Sequence, residues 1–136
     1  MTAAVSVDDL DALIATDPYL SALGLHAAMD GDVVLVLPPL VRHVAIPGPD
    51  LLHGGVIAAF LEAAASLHLR ATGAAVRAVE FTSDFLRPVP LAPTYAAALV
   101  LRRGRRLASV RVDAWQTDRD RLVAVGHGRF LVDAGP

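Results

Sequence analysis

The sequence predicts an α+β fold in which an antiparallel sheet of five or six strands curls round one long apolar helix, preceded by a short N-terminal helix. Three observations predict it. Eleven of the fourteen residues 56–69 are apolar, the exceptions being Glu62, Ser66 and His68, and a helix apolar nearly all round needs neighbours on every side. Ala108, Val110, Val112 and Ala114 alternate with Ser109, Arg111 and Asp113, the period of a sheet with one buried face. The strand-like runs after the helix are joined by short links, which favour antiparallel neighbours.

Taken in order, Ser6 followed by Asp9 reads as a capping box, with Asp in place of Glu, for a short helix that Pro18 closes. Residues 24–38 read as a hairpin, with Asp30-Gly31 as the tight turn and Val33-Val34-Leu35-Val36-Leu37 as a β-branched-rich strand. Pro38-Pro39 ends it, and residues up to His53 form a long Pro- and Gly-containing loop, a kind of loop often used for function. The long helix runs from Gly54 to about Thr72. Strands are expected over 75–87, 95–103, 107–117 and 122–132, with turns at Arg103-Gly104-Arg105 and at residues 118–120.

With 136 residues, 54% of them hydrophobic and 19% charged, the chain reads as a single domain over 1–136, in which 1–20 are the N-terminal helix and lead-in. A net charge of -2 and a pI near 6.2 give no global attraction to nucleic acid or an anionic membrane, so neither is an expected partner. The chain has no cysteine, which excludes disulfides, thiolate metal sites and a cysteine nucleophile. The first twenty residues hold four aspartates and no lysine or arginine, unlike a secretory signal. The longest apolar run is too short to span a bilayer and carries Glu62. A cytoplasmic protein is expected.

Glu62 is the first residue with chemical potential, since a carboxylate buried in an apolar helix is costly unless it is paired or protonated. It reads as a catalytic base or nucleophile, or else as a structural ion pair with Arg70 or Arg87, or as a side chain reaching solvent at an interface. His53-Gly54-Gly55 stands where loop becomes helix, so its glycine amides are among the first unsatisfied donors and could hold an oxyanion. The alternative is a helix start with His53 as a local hydrogen-bonding group. Glu62 lies roughly 12 Å further along the same helix, too far for one chain to bring both to one carbonyl. Two antiparallel copies of the helix can do so. His68 and His127 read as core or surface histidines, and no three-ligand metal spacing occurs.

The run His53-Gly54-Gly55-Val56-Ile57-Ala58-Ala59-Phe60-Leu61-Glu62, followed by Phe85-Leu86-Arg87-Pro88 and Arg102-Arg103-Gly104-Arg105-Arg106-Leu107-Ala108, resembles the hotdog-fold acyl-CoA thioesterases of the phenylacetate-pathway type. The resemblance covers residue 20 to the end. It implies a hotdog fold, a homodimer or a homotetramer built as a dimer of dimers, and hydrolysis of an aromatic or medium-chain acyl-CoA to acid and free CoA. It implies no cofactor beyond the CoA of the substrate. The Gly54 amide would polarise the thioester carbonyl, Glu62 of the other chain would serve as base or nucleophile, and Ser66, four residues on, would help hold water. Gly55 and the guanidinium groups of Arg87, Arg103 and Arg105 are candidate substrate-binding groups, since arginines bind phosphate in bidentate fashion; the alternatives are a solvated hairpin end for the turn arginines and a salt bridge within the sheet for Arg87. Two departures stand out: many relatives have Asn or Gln six residues before the His, where Pro47 stands here, and Ala92-Pro93 replaces a glycine after the Arg-Pro pair. Other readings are a non-catalytic acyl-CoA binding protein and a hotdog enoyl-thioester hydratase or dehydratase using His53 and Glu62 as acid and base.

Overall fold

A computed structural model describes residues 4–45 and 48–133. Pro47, the departure noted above, lies outside the described residues. The capping box forms as expected: the Ser6 hydroxyl accepts from the Asp9 amide at 3.1 Å and the Asp9 carboxylate accepts from the Ser6 amide at 3.3 Å, opening α1, Val7–Ala15. Pro18 does not simply close that helix. It is the first residue of a second one, α2, Pro18–Leu23, because Asp17 caps it and a proline suits a first turn whose amides are unpaired anyway. The hairpin follows as β1, His26–Asp30, and β2, Asp32–Leu37, with Gly31 at φ 78°, a conformation most side chains resist. One 3₁₀ turn, Val41–His43, interrupts the long loop.

The central helix α3 spans Gly54–Arg70, and the remaining strands are β3, Ala75–Phe85, β4, Thr94–Arg103, β5, Leu107–Trp115, and β6, Ala124–Asp133. All six strands form one antiparallel sheet in the order β1-β2-β4-β5-β6-β3. The short β3–β4 link therefore does not join neighbours. β3 crosses to the far edge and pairs with β6 through a bulge between Ala78 and Glu80, so short-connection reasoning fails at that one link. The alternation in β5 is borne out, with Ala108, Val110, Val112 and Ala114 all buried.

The sheet wraps one side of α3. Ile57, Phe60, Leu61, Ala65, Leu67 and Leu69 are buried against it, each large side chain contributing about 1.5–3 kcal/mol. Two glycines of β6 make room for the aromatic layer. A Cβ at Gly126 would lie 2.6 Å from the Phe81 ring, and one at Gly128 would lie 2.5 Å from Phe81 and 2.8 Å from Phe130, rings that meet edge to face at 6.3 Å. Gly128→Ala is expected to lower stability by about 1–3 kcal/mol through overpacking, measured by urea unfolding. An unchanged midpoint would mean the rings move aside freely.

His43 is buried with neither ring nitrogen hydrogen-bonded, while its carbonyl accepts from the His53 amide at 2.8 Å. Burial, helped by the charge of Arg42, holds its ring below the ordinary histidine range, and the nearby Pro38 carbonyl opposes this only weakly. The folded chain thus keeps this ring neutral while the unfolded chain protonates it near 6.5. Its contribution to stability is full above that value and declines as the pH falls through it toward the folded value. His43→Leu should match or exceed the native stability at neutral pH, by up to about 1 kcal/mol, since it removes two unpaired buried nitrogens. It should also lose less between about pH 6.5 and 5 in thermal unfolding. His68, lowered likewise by burial against an opposing pull from Asp32, retains part of the slope. A variant with the native pH profile would exclude His43 as its source.

Candidate active site

α3 is not enclosed on all sides. Gly55, Ala59, Glu62, Ser66 and Arg70 recur at three- and four-residue spacing and form one stripe, and that stripe faces away from the sheet. Glu62 and Gly55 on it are exposed, and Ser66 is half-buried. The expectation of a buried Glu62 is thus corrected. The apolar composition of the helix is explained by a sheet on one side and small alanines toward the other, so the burial penalty does not arise in the single chain. Glu62 has no ion-pair partner among the described residues. Arg70 pairs with Asp17 at 3.5 Å instead, and the Nε of Arg87 is buried without a partner.

The start of α3 separates the two glycines. His53 is the N-cap, and its Nδ1 accepts from the Gly55 amide at 2.9 Å. The Val56 and Ile57 amides both donate to the His53 carbonyl, at 3.0 and 3.2 Å. The Gly54 N–H alone of these four has no hydrogen-bond partner among the described residues, which leaves it at the positive end of the helix dipole as a donor open to a ligand. Steric demands divide the pair in the same way. A Cβ on Gly55 would sit 3.1 Å from the His53 ring, whereas one on Gly54 would meet nothing closer than Phe85 at 3.6 Å. Glycine at 55 thus serves the cap. Glycine at 54 has no such need within the chain, and it keeps the approach to its amide clear.

His53 therefore acts in this structure as a cap. With Nδ1 accepting, the neutral ring carries its proton on Nε2. Beside Glu62 lies a cavity of about 290 Å³ lined by Asp17, Tyr19, Ala59, Glu62, Ser66 and Arg70. Glu62 and Ser66 share it, as their four-residue spacing requires. The Gly54 end of the same helix does not contribute to it.

The arginines divide between the two ends of the sheet. Arg87 follows β3 in a segment joined to the start of α3 by the Leu52 amide donating to Val89 at 2.8 Å, and it lines a cavity of about 200 Å³ with Gln116 and Arg121. The β4–β5 turn lies at the opposite end, beside the start of β3 and the end of β6, where Leu107 pairs with Leu131 and Ala75 with Asp133. There Arg102, Arg105, Arg106 and Arg129 surround an open cavity of about 510 Å³. Arg103 is not part of its wall. Arg129, which sequence reasoning missed, enters from β6 because antiparallel pairing sets Arg129 opposite Ser109; its guanidinium also holds Glu80 at 2.8 Å. No group of three potential metal ligands occurs among the described residues, and none of their helices is long and apolar enough to cross a membrane.

A six-stranded antiparallel sheet wrapped on a central helix, with His-Gly-Gly at the helix start and an acid two turns on, is the hotdog class of fold. The family model for the thioesterase superfamily matches residues 50–123, more than half of the sequence, and the chain belongs to that superfamily. Among solved structures it is similar to a thioesterase from Haemophilus influenzae, with a TM-score of 0.82 and 24% identity over 96% of this chain and 92% of that one. A protein from Chromobacterium violaceum has a TM-score of 0.71 and 32% identity over 91% and 89% of the two chains. A variant of the phenylacetic acid degradation protein PaaI from Thermus thermophilus has a TM-score of 0.73 and 28% identity over 85% and 98%. No curated protein matches the sequence at a significant level.

Proposed function

We propose that this protein hydrolyses an aromatic or medium-chain acyl-CoA thioester to the acid and free CoA, at a site formed between two copies of the chain. The observation that carries the reading is the free Gly54 amide on a helix that also presents Glu62 beside a cavity. The two lie eight residues apart on one rigid helix, so one carbonyl meets both only if a second copy lies antiparallel alongside. β3 supports such pairing: it is an 11-residue strand at the sheet edge, with Val79 and Phe85 exposed, and natural sheets rarely leave so long an edge uncovered. Joining two β3 edges about a twofold axis sets the α3 helices side by side in opposite directions.

In this mechanism the thioester oxygen accepts from the Gly54 amide of one copy. Glu62 of the other takes a proton from water as it attacks the carbonyl carbon, with the Ser66 hydroxyl positioning that water. The oxyanion collapses, the C–S bond breaks, and the CoA sulfur leaves with the proton that Glu62 returns. Direct attack by Glu62, through an acyl-enzyme anhydride, uses the same geometry. No metal or redox group has a step in it. The arginines of the β4–β5 turn, with Arg129, bind the CoA phosphates on the copy that supplies Glu62, and Arg87 is a second candidate at the Gly54 end. The protein acts in the cytoplasm, as a dimer or a dimer of dimers.

The test is a panel of aryl and C4–C12 acyl-CoAs assayed for thiol release. Hydrolysis of one or more supports the reading. Tight binding of acyl-CoA without thiol release would replace it with a carrier role, and water addition to an enoyl-CoA would replace it with a hydratase. With its Nδ1 lone pair accepting from Gly55, His53 could serve a hydratase only through Nε2.

A further inference from the structure

We infer that the cavity beside Glu62 selects acyl groups that carry a neutral hydrogen-bond acceptor near their far end, with Arg70 as the residue that reads it. The inference rests on the thioesterase reading of the same site. Ala59 and Ala63 give the wall of this cavity little bulk, and its volume of about 290 Å³ accommodates roughly ten water-sized groups at about 30 Å³ each. The acyl chain enters past Glu62, and Arg70 stands on the same face eight residues, or roughly 12 Å, further along α3. The wall of the cavity therefore includes a donor two turns beyond Glu62.

Asp17 offsets the charge of that donor. One carboxylate oxygen of Asp17 accepts from the Tyr19 and Leu20 amides at 3.1 and 3.2 Å, capping α2, and the other faces the Arg70 guanidinium at 3.5 Å. Both oxygens are thus engaged. Arg70 donates no hydrogen bond among the described residues, although a guanidinium has five N–H groups. A plain alkyl end would cover those donors and leave them unpaired. A carboxylate end would meet the negative charge of Asp17. A ketone, ether or hydroxyl oxygen suits the pair.

The experiment measures kcat/KM by thiol release for octanoyl-CoA, its 7-oxo derivative and a dicarboxylic acyl-CoA such as adipoyl-CoA. The native protein should favour the 7-oxo substrate over octanoyl-CoA by roughly 10- to 100-fold, the range of one hydrogen bond to a charged group. Arg70→Met should bring that ratio close to one. Asp17→Asn, which keeps a good capping side chain, should raise the relative rate for adipoyl-CoA, and this arm stands even if Arg70→Met fails to fold. Equal hydrolysis of octanoyl- and 7-oxooctanoyl-CoA by the native protein would overturn the specificity and leave the thioesterase reading intact. No thiol release from any acyl-CoA would overturn both.

Discussion

Glu62→Gln is expected to lower kcat for acyl-CoA hydrolysis by roughly 10²- to 10⁴-fold, the usual worth of a positioned base, with KM changed far less. The substitution keeps the shape of the side chain and removes only its capacity to take a proton or attack carbon. Glu62 is exposed in the single chain and holds no ion pair among the described residues, so nothing in the fold depends on its charge. Stability should stay within about 0.5 kcal/mol of native, as for surface changes in general. Thiol-release kinetics and thermal unfolding of the same preparation separate the two effects. Native turnover in the variant would remove Glu62 from the chemistry, and a collapsed fold would reveal a structural role.

Gly54→Pro should be almost as damaging to turnover and equally mild to the fold. Position 54 is the first helical residue after the His53 cap, where proline is favoured because the amide it lacks has no helical partner. His53 lies at φ -64° and ψ 134°, the extended conformation that a following proline prefers. The variant therefore deletes the α3 amide that has no partner among the described residues and leaves the cap of Gly55 untouched. Loss of an oxyanion donor typically lowers kcat by roughly 10²- to 10³-fold. Far-ultraviolet dichroism should be native. Full activity would show that the carbonyl takes its hydrogen bond elsewhere.

Much of the fold was legible because local chemistry and tertiary structure agreed. The Ser6–Asp9 box, the Asp30-Gly31 turn and the alternation through β5 each follow from neighbours in sequence, and each is where expected. Three features were not legible, for a common reason. The crossing of β3 to the far edge, the uncovered stripe of α3 and the arrival of Arg129 among the turn arginines depend on which surfaces meet across the sheet. Composition marks α3 as apolar, but alanines fit a buried face and an interface equally well, so Glu62 looked enclosed when it is not. The placement of a helix-start glycine two turns before an acid on one helix was readable from spacing. The division of labour between Gly54 and Gly55 was not, because it depends on where the His53 ring turns. Arg70 was visible only as a possible partner of Glu62, and its pairing with Asp17 beside a cavity depends on α2 folding back on α3.

The eight-position separation of Gly54 and Glu62 along one helix has a genetic consequence. If each reaction centre takes its amide from one copy and its acid from the other, the two defective proteins above are defective in different halves. Mixed and refolded together, Gly54→Pro and Glu62→Gln chains would form hybrids holding one intact centre. With random pairing in a symmetric dimer, about a quarter of native activity should return. Two inactive preparations that recover nothing on mixing would show that each chain works alone.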